Sequence, residues 1–160
     1  MKTHYIKETK TIENNCVYTA EAHHIIAARY GKHAFWFQLI PAVIASFSGM
    51  LVAGSVVPPW FGWATVVSGI VTAVSGVLNP IKSYFDHLTA AKSFTVLKQE
   101  ARALGTTTGL MLSELELKYS ITNLQQRYGD LVRLAPPTDE RSFRNAQERI
   151  KSGIHEPDKI

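Results

Sequence analysis

The sequence predicts an all-α membrane protein, a helical hairpin of two transmembrane spans with soluble helices before and after it. Three observations predict this. Ala34 to Ile81 form 48 consecutive residues without Asp, Glu, Lys, Arg or His in a chain of 160, so all 17 Lys and Arg and all 13 Asp and Glu lie outside that block. A hydrocarbon layer of roughly 30 Å takes about 20 apolar residues per helix, which makes the block two crossings and a turn. Paired prolines sit near its middle, in Val56 to Phe61 (VVPPWF), where they cannot continue a helix. Both flanks carry apolar residues at helical spacing among charges.

Taken in order, residues 1 to 11 (MKTHYIKETKT) have no apolar period and read as a flexible N-terminus. From Ile12 to about residue 33, the spacing of Cys16, Ala20, Ile26, Ala27 and Tyr30 predicts a polar helix that runs on towards the block. The first span, Phe35 to Ser55, rises about 31 Å at 1.5 Å per residue, enough to cross. Trp60 and Trp63 suit the headgroup level at the turn. The second span covers 62 to 81 and ends at Asn79-Pro80. Beyond it, 82 to 104 reads as an amphipathic helix with Phe85, Leu88, Ala91, Phe94, Leu97 and Ala101 on one side, closed by Gly105. A polar helix over 110 to 134 follows, with Leu117, Leu124, Tyr128 and Leu131 in register, and Ala135-Pro136-Pro137 breaks it. Thr138 then caps a last helix over 139 to 152.

Charge sets the orientation. Five Lys or Arg precede the apolar block, 12 follow it and the turn has none, so both termini are expected in the cytoplasm. The net charge of +4 acquires its meaning from that placement, and direct nucleic-acid binding is not expected. The single cysteine, Cys16, excludes an intramolecular disulfide and a cysteine metal cluster. The polar residues before Ala34 include Glu8, Glu13 and Glu21, which does not fit a cleaved signal peptide, and no lipidation motif is present.

The spans have ordered faces. On a wheel of about 100° per residue, Ser68, Thr72, Ser75 and Asn79 fall within about 60° of one another, with Thr65 next to them. Gly62, Gly69 and Gly76 form a heptad beside that stripe, and the large apolar residues take the far side. In the first span Ala42, Gly49 and Ala53 share a matching small-residue face with Ala45 and Ser46. Lipid is as apolar as leucine, so helices in a bilayer associate through small residues that permit close approach. Two readings of the hydroxyl stripe stand. It lines a water-filled path between assembled hairpins, or it is a packing seam whose hydroxyls bond back to carbonyls one turn earlier. Pro41 and Pro80 are candidate hinges.

No catalytic pattern is present: no phosphate-binding loop, nucleophile elbow, H-E-x-x-H or dinucleotide loop. The chain is not expected to be an enzyme or to hold a cofactor. His23 and His24 are adjacent and so face different ways, which does not make a metal site. They read as interfacial polar residues. His87 lies among Tyr84, Phe85, Leu88 and Ala91, and reads either as a helix-to-helix hydrogen bond or as a pH or ligand switch. The basic residues Arg127, Arg133, Arg141, Arg144, Arg149 and Lys151 are mixed with acids, as on a solvated face.

The arrangement resembles a known family. The resemblance is carried by the alanine-rich stretch Ala20 to Tyr30, the early proline of the first span, and the exit Val77-Leu78-Asn79-Pro80. Further on it rests on the helix His87-Leu-Thr-Ala90-Ala91-Lys-Ser-Phe94-Thr-Val-Leu97-Lys-Gln-Glu100-Ala101-Arg102 and the late Ala135-Pro136-Pro137. Over 12 to 155 this looks like the SLATT domain, a two-span membrane effector associated with SMODS nucleotidyltransferases and SLOG proteins in bacterial conflict systems. The resemblance implies a multi-pass protein of the bacterial inner membrane that oligomerises and disrupts that membrane, as a pore, when infection is sensed in antiphage defence. It implies as partners the bilayer, further copies of the chain, and a defence partner acting through a nucleotidyltransferase signal or a reverse-transcriptase product. His87 and Phe94 match the family's helix after the second span and are the candidates for gating. With no separate sensor domain beside the spans, activation is expected through the cytoplasmic helices or a partner chain. A phage holin-like lysis pore and a non-pore tether that recruits a soluble partner are the alternatives.

Overall fold

The computed structural model describes residues 2–53, 58 and 60–153, and side chains for 4–47, 58 and 60–153. The described residues are all-helical: α1 (Lys2–Ala53), α2 (Phe61–Leu78), α3 (Pro80–Thr106), α4 (Thr108–Met111), α5 (Glu114–Leu134) and α6 (Glu140–Lys151). They gather into two compact units, one of Met1–Ala27 with Phe85–Ile160 and one of Ala28–Tyr84. The single domain expected over 12 to 155 is thus divided, and α1 and α3 each contribute to both parts.

The first unit is a helical bundle whose core follows heptad-like spacing. Thr9, Ile12, Cys16, Ala20, His23 and Ala27 make the buried edge of α1; His87, Ala90, Ala91, Phe94, Leu97 and Ala101 make that of α3. Leu117, Ile121 and Leu124 are the buried face of α5, with Tyr128 and Leu131 packed on the same core. Steps of three and four residues keep such a stripe on one side of a helix. The small side chains Cys16, Ala20, Ala90 and Ala101 let α1 and α3 approach closely, and at one end the approach requires glycine. A Cβ at Gly105 would lie 2.7 Å from Thr9 Oγ1. Burial also pushes the Cys16 thiol up to about 11, which leaves it a packing residue rather than a nucleophile.

Several element boundaries differ from those the sequence suggests. Helix α1 begins at Lys2, and residues 2–11 are helical although they have no apolar period, because Thr9 is fully buried against α3. Gly105 does not close α3, which continues to Thr106. The helix expected over 110 to 134 is two helices. Ser113 interrupts it with a capping box, its Oγ accepting from Glu116 N–H at 3.3 Å while its own N–H donates to Glu116 Oε2 at 2.9 Å. At α6 the N-cap is Asp139 rather than Thr138, because the Asp139 carboxylate accepts from the Ser142 N–H.

Helix α6 buries only Ser142 and Ala146. It is held to α1 by Tyr18 against Phe143, ring centroids 6.3 Å apart, and by Arg149 Nη1, which lies 2.6 Å from Oε1 of the buried Glu21 as an ion pair without hydrogen-bond alignment at that oxygen. Glu100 and Arg127 join α3 to α5 through a two-pronged, half-exposed pair, a contact worth at most about 1 kcal/mol in that setting.

In the second unit α2 carries no charged residue and buries only Phe61. Among the described residues one helical run, Phe61–Thr106, is long and apolar enough to cross a membrane; 6% of its most apolar window is buried. The 34–47 stretch of α1 likewise exposes Phe35, Trp36, Ile40 and Phe47. Pro41 lies inside α1 without ending it. Of the turn, Val56, Val57 and Pro59 fall outside the described residues.

The joint after α2 is built by two residues. Asn79 takes left-handed backbone angles (φ 39°, ψ 61°), closing α2 with its N–H on Ser75 O at 3.0 Å. Asparagine tolerates that conformation better than other non-glycine residues. Its carboxamide Oδ1 accepts from Lys82 N–H at 3.1 Å, capping α3 in turn. Pro80 then occupies the first turn of α3, where its missing N–H costs nothing.

The core assignment makes a quantitative prediction. Phe94 is 1% exposed, so Phe94→Ala should destabilise the bundle by about 3–5 kcal/mol, whereas Val96→Ala, 52% exposed on the same helix, should cost under about 1 kcal/mol. Urea titration of the full chain in detergent micelles, followed by circular dichroism, distinguishes the two.

Candidate functional site

Within the second unit, α1 around Pro41 and α2 around Ser68 face one another across an open groove of about 770 Å³. Pro41, Ala42, Ile44 and Ala45 form one wall; Thr65, Ser68, Gly69, Thr72 and Ala73 form the other. The small residues of α1 around Ala42 and the Thr65, Ser68 and Thr72 part of the hydroxyl stripe of α2 therefore meet, while Ser75 lies outside the groove lining. Gly49 and Ala53 lie in α1, but their side chains fall outside those described.

Three hydroxyls of α2, those of Thr65, Thr72 and Ser75, bond back along the helix. Thr72 Oγ1 donates to Ser68 O at 2.9 Å, Ser75 Oγ to Val71 O at 2.7 Å, and Thr65 Oγ1 to Gly62 O at 2.7 Å. On the facing helix Ser46 Oγ donates to Ala42 O at 2.8 Å. This is how an apolar medium is accommodated, since a hydroxyl hydrogen without an acceptor is expensive there. A hydroxyl committed in this way presents only oxygen lone pairs to whatever enters the groove. Asn79 and Pro80 are absent from the groove lining and stand at the α2–α3 joint, where the Asn79 side chain is the cap described above.

Among the described residues, a Cβ at Gly62, Gly69 or Gly76 would meet nothing within 4 Å.

The two gating candidates, His87 and Phe94, lie in the bundle and are joined through a residue the sequence reading had left at an interface. His23 Nδ1 and His87 Nδ1 are 2.9 Å apart, with exposures of 1% and 6%. The His23 ring stacks on Phe94 at 5.8 Å and 12°, and Phe94 meets Tyr128 edge-on at 6.2 Å. One proton can occupy the space between two Nδ1 atoms, so one ring is the Nδ1–H tautomer and the other accepts. A further proton on the outer nitrogen of the donor ring leaves that bond intact. Double protonation would set N–H against N–H. Burial lowers the His23 pKa to about 4, with His87 and then His24 adding to the effect. Burial lowers His87 as well, opposed by Asp86 and by Asp139 at the start of α6. The signal that places His23 inside is its position three residues after Ala20 and four before Ala27, on the buried edge of α1. Reading it as one of a pair with His24 obscured that.

Among the described residues no three His, Cys, Asp or Glu side chains are arranged to hold a metal ion. Comparison with protein-family models, with curated proteins and with solved structures finds no match.

The histidine pair makes stability depend on pH with a definite sign. Below about pH 6.5 the unfolded chain takes up a proton that the folded His23 refuses until about pH 4, so stability present above pH 6.5 is lost as pH falls through that window. His23→Gln should cost about 1–3 kcal/mol at pH 7 by leaving His87 without its ring partner. That deficit should shrink towards pH 4.5, because the variant lacks the penalty. Denaturant titrations of both chains at the two pH values test this; a constant deficit would show that the pair is not proton-linked.

Proposed function

We propose that this chain is a two-span membrane hairpin of the bacterial inner membrane whose copies assemble into a pore, acting as an effector of antiphage defence, as its resemblance to the SLATT domain implies. The first crossing is the 34–53 part of α1 and the second is α2. In this reading the positive flanks keep both termini in the cytoplasm, and the bundle of α1, α3, α5 and α6 is the part that receives the activating signal from a defence partner.

The observation that carries the proposal is the meeting of Ser68 and Thr72 with Pro41, Ala42 and Ala45 across one groove in an otherwise apolar pair of helices. A lipid-facing surface has no need for that stripe, and the large apolar side chains Trp63, Val67, Ile70 and Val74 are all exposed elsewhere on α2. Hydroxyl oxygens with their hydrogens turned back to the backbone offer acceptors to water and to cations. The absence of charge from Ala34 to Ile81 argues against a proton-coupled pump or a voltage sensor.

Inducible expression with the activating partner should depolarise cells. Ser68→Leu and Thr72→Leu should each suppress depolarisation while membrane fractionation shows the protein still inserted. Undiminished ion flux in both variants would remove these residues from the path. Lysis only when a cell-wall hydrolase is co-expressed would favour a holin. A stoichiometric soluble partner, with no current across bilayers containing the purified chain, would favour a tether.

A further inference from the structure

On the outside of the bundle, α5 carries an apolar strip where a solvated helix should be polar. Its buried face is Leu117, Ile121 and Leu124; on the opposite side Leu115 is 78% exposed and Tyr119 76%. Leu110 and Met111, the last two residues of α4, are 68% and 86% exposed. A shallow groove of about 780 Å³, lined by Leu112, Leu115 and Tyr119 with Lys118, runs along this surface. Singly exposed large side chains are ordinary, whereas a contiguous set opposite a core face marks an interaction site.

The strip is short and has distinct edges. Further along the same side of α5 come Gln126, Gly129 and Arg133, so the apolar surface is confined to the first two turns. With Leu115 at the origin of a helical wheel, Lys118 falls about 60° to one side and Glu116 about 100° to the other. Two parallel copies that bring this strip against its own counterpart, across a two-fold axis along the helices, therefore place Lys118 of each against Glu116 of the other, with Leu115 and Tyr119 between them. The pattern is complementary to itself, an isologous contact that pairs two copies.

A lipid surface fits less well. Two carboxylates, Glu114 and Glu116, border the strip, where an anionic bilayer favours Lys and Arg. The strip also begins beside the C-terminal end of α3, roughly 30 Å along that helix from Phe85, where the chain leaves this unit.

We propose that the Leu115–Tyr119 strip is a cytoplasmic interface between two copies of this chain, parallel and related by a two-fold axis, with Lys118 of each paired to Glu116 of the other. This deepens the oligomeric reading above, and rests on it only in requiring copies that share a membrane and point the same way. The interface lies outside the spans, so assembly does not depend on the glycine edge of α2 alone.

The test is the size distribution of the full chain in lipid nanodiscs or mild detergent, measured by mass photometry over a concentration series. Leu115→Ser with Tyr119→Ser should raise the concentration needed for assembly at least tenfold. Lys118→Glu alone should weaken assembly several-fold, because it sets two carboxylates together. Adding Glu116→Gln to Lys118→Glu should restore most of the loss, since glutamine relieves the repulsion and still serves the Ser113 capping box. Circular dichroism of each variant separates lost assembly from lost folding. Assembly unchanged by the double serine variant overturns the proposal, as does failure of Glu116→Gln to rescue. A parent chain that stays monomeric overturns the choice of a second copy. These outcomes are independent of ion flux: a chain that assembles through this strip without conducting leaves the interface standing and removes the pore.

Discussion

Helix α2 buries one of its 18 residues within the chain, and that imbalance constrains everything around it. A soluble helix gains its stability by removing an apolar stripe from water. Here large apolar side chains outside the hydroxyl stripe stay exposed. The helix is satisfied only internally, by its own backbone ladder and by hydroxyls turned back onto that ladder at Thr65, Thr72 and Ser75. Such an element has to find an apolar medium or other copies of itself, and Gly62, Gly69 and Gly76 leave one edge with open space where a neighbouring backbone can come close.

The bundle solves the opposite problem with a different sequence grammar. Its core is regular in spacing but economical in volume: alanine and cysteine dominate the α1–α3 contact, while Phe94, Leu97 and Leu117 are its largest fully buried apolar side chains. Close helix approach is what makes a 2.9 Å ring-to-ring hydrogen bond between His23 and His87 possible, and it is why Gly105 is needed opposite Thr9. The polar pair is tolerated because each ring meets the other's requirement and an aromatic ring, Phe94, covers the His23 face. Helix α6 is attached less firmly, by small buried residues, an aromatic contact and the Glu21–Arg149 pair. An ion pair with one half-exposed partner responds to salt and to competing charges, whereas apolar packing does not.

Much of this was legible in the sequence where one strong local rule acted. The uncharged block announced α2 by composition, and Asn79-Pro80 announced a joint by the backbone preferences of two residues. The core positions Phe94, Leu97, Ala101, Leu117 and Leu124 follow from periodicity. What was missed depended on partners distant in the chain. The N-terminal helix forms because Thr9 meets α3 from nearly a hundred residues away, and Glu21 finds Arg149 across an even longer separation. The break before α5 is a different kind of miss. Ser113-x-x-Glu116 is a local capping signal, overlooked because leucine periodicity ran straight through it.

The groove shows how a single set of bonds serves both readings of the hydroxyl stripe. Back-bonding removes the donor from the hydroxyls of Thr65, Thr72 and Ser75, so the cost of placing these three in an apolar helix is small whether or not water ever reaches them. It follows that the hydrogen bonds within one chain do not distinguish a seam from a lining; what covers the glycine edge does. If a neighbouring helix packs against Gly62, Gly69 and Gly76, the hydroxyls beside them are turned by about one quarter of the circumference or less towards the axis of assembly, given the 3.6-residue period. In such an assembly the glycine edge would set the approach of the copies and the stripe next to it would border the space they enclose, making packing and lining neighbouring sectors of one surface.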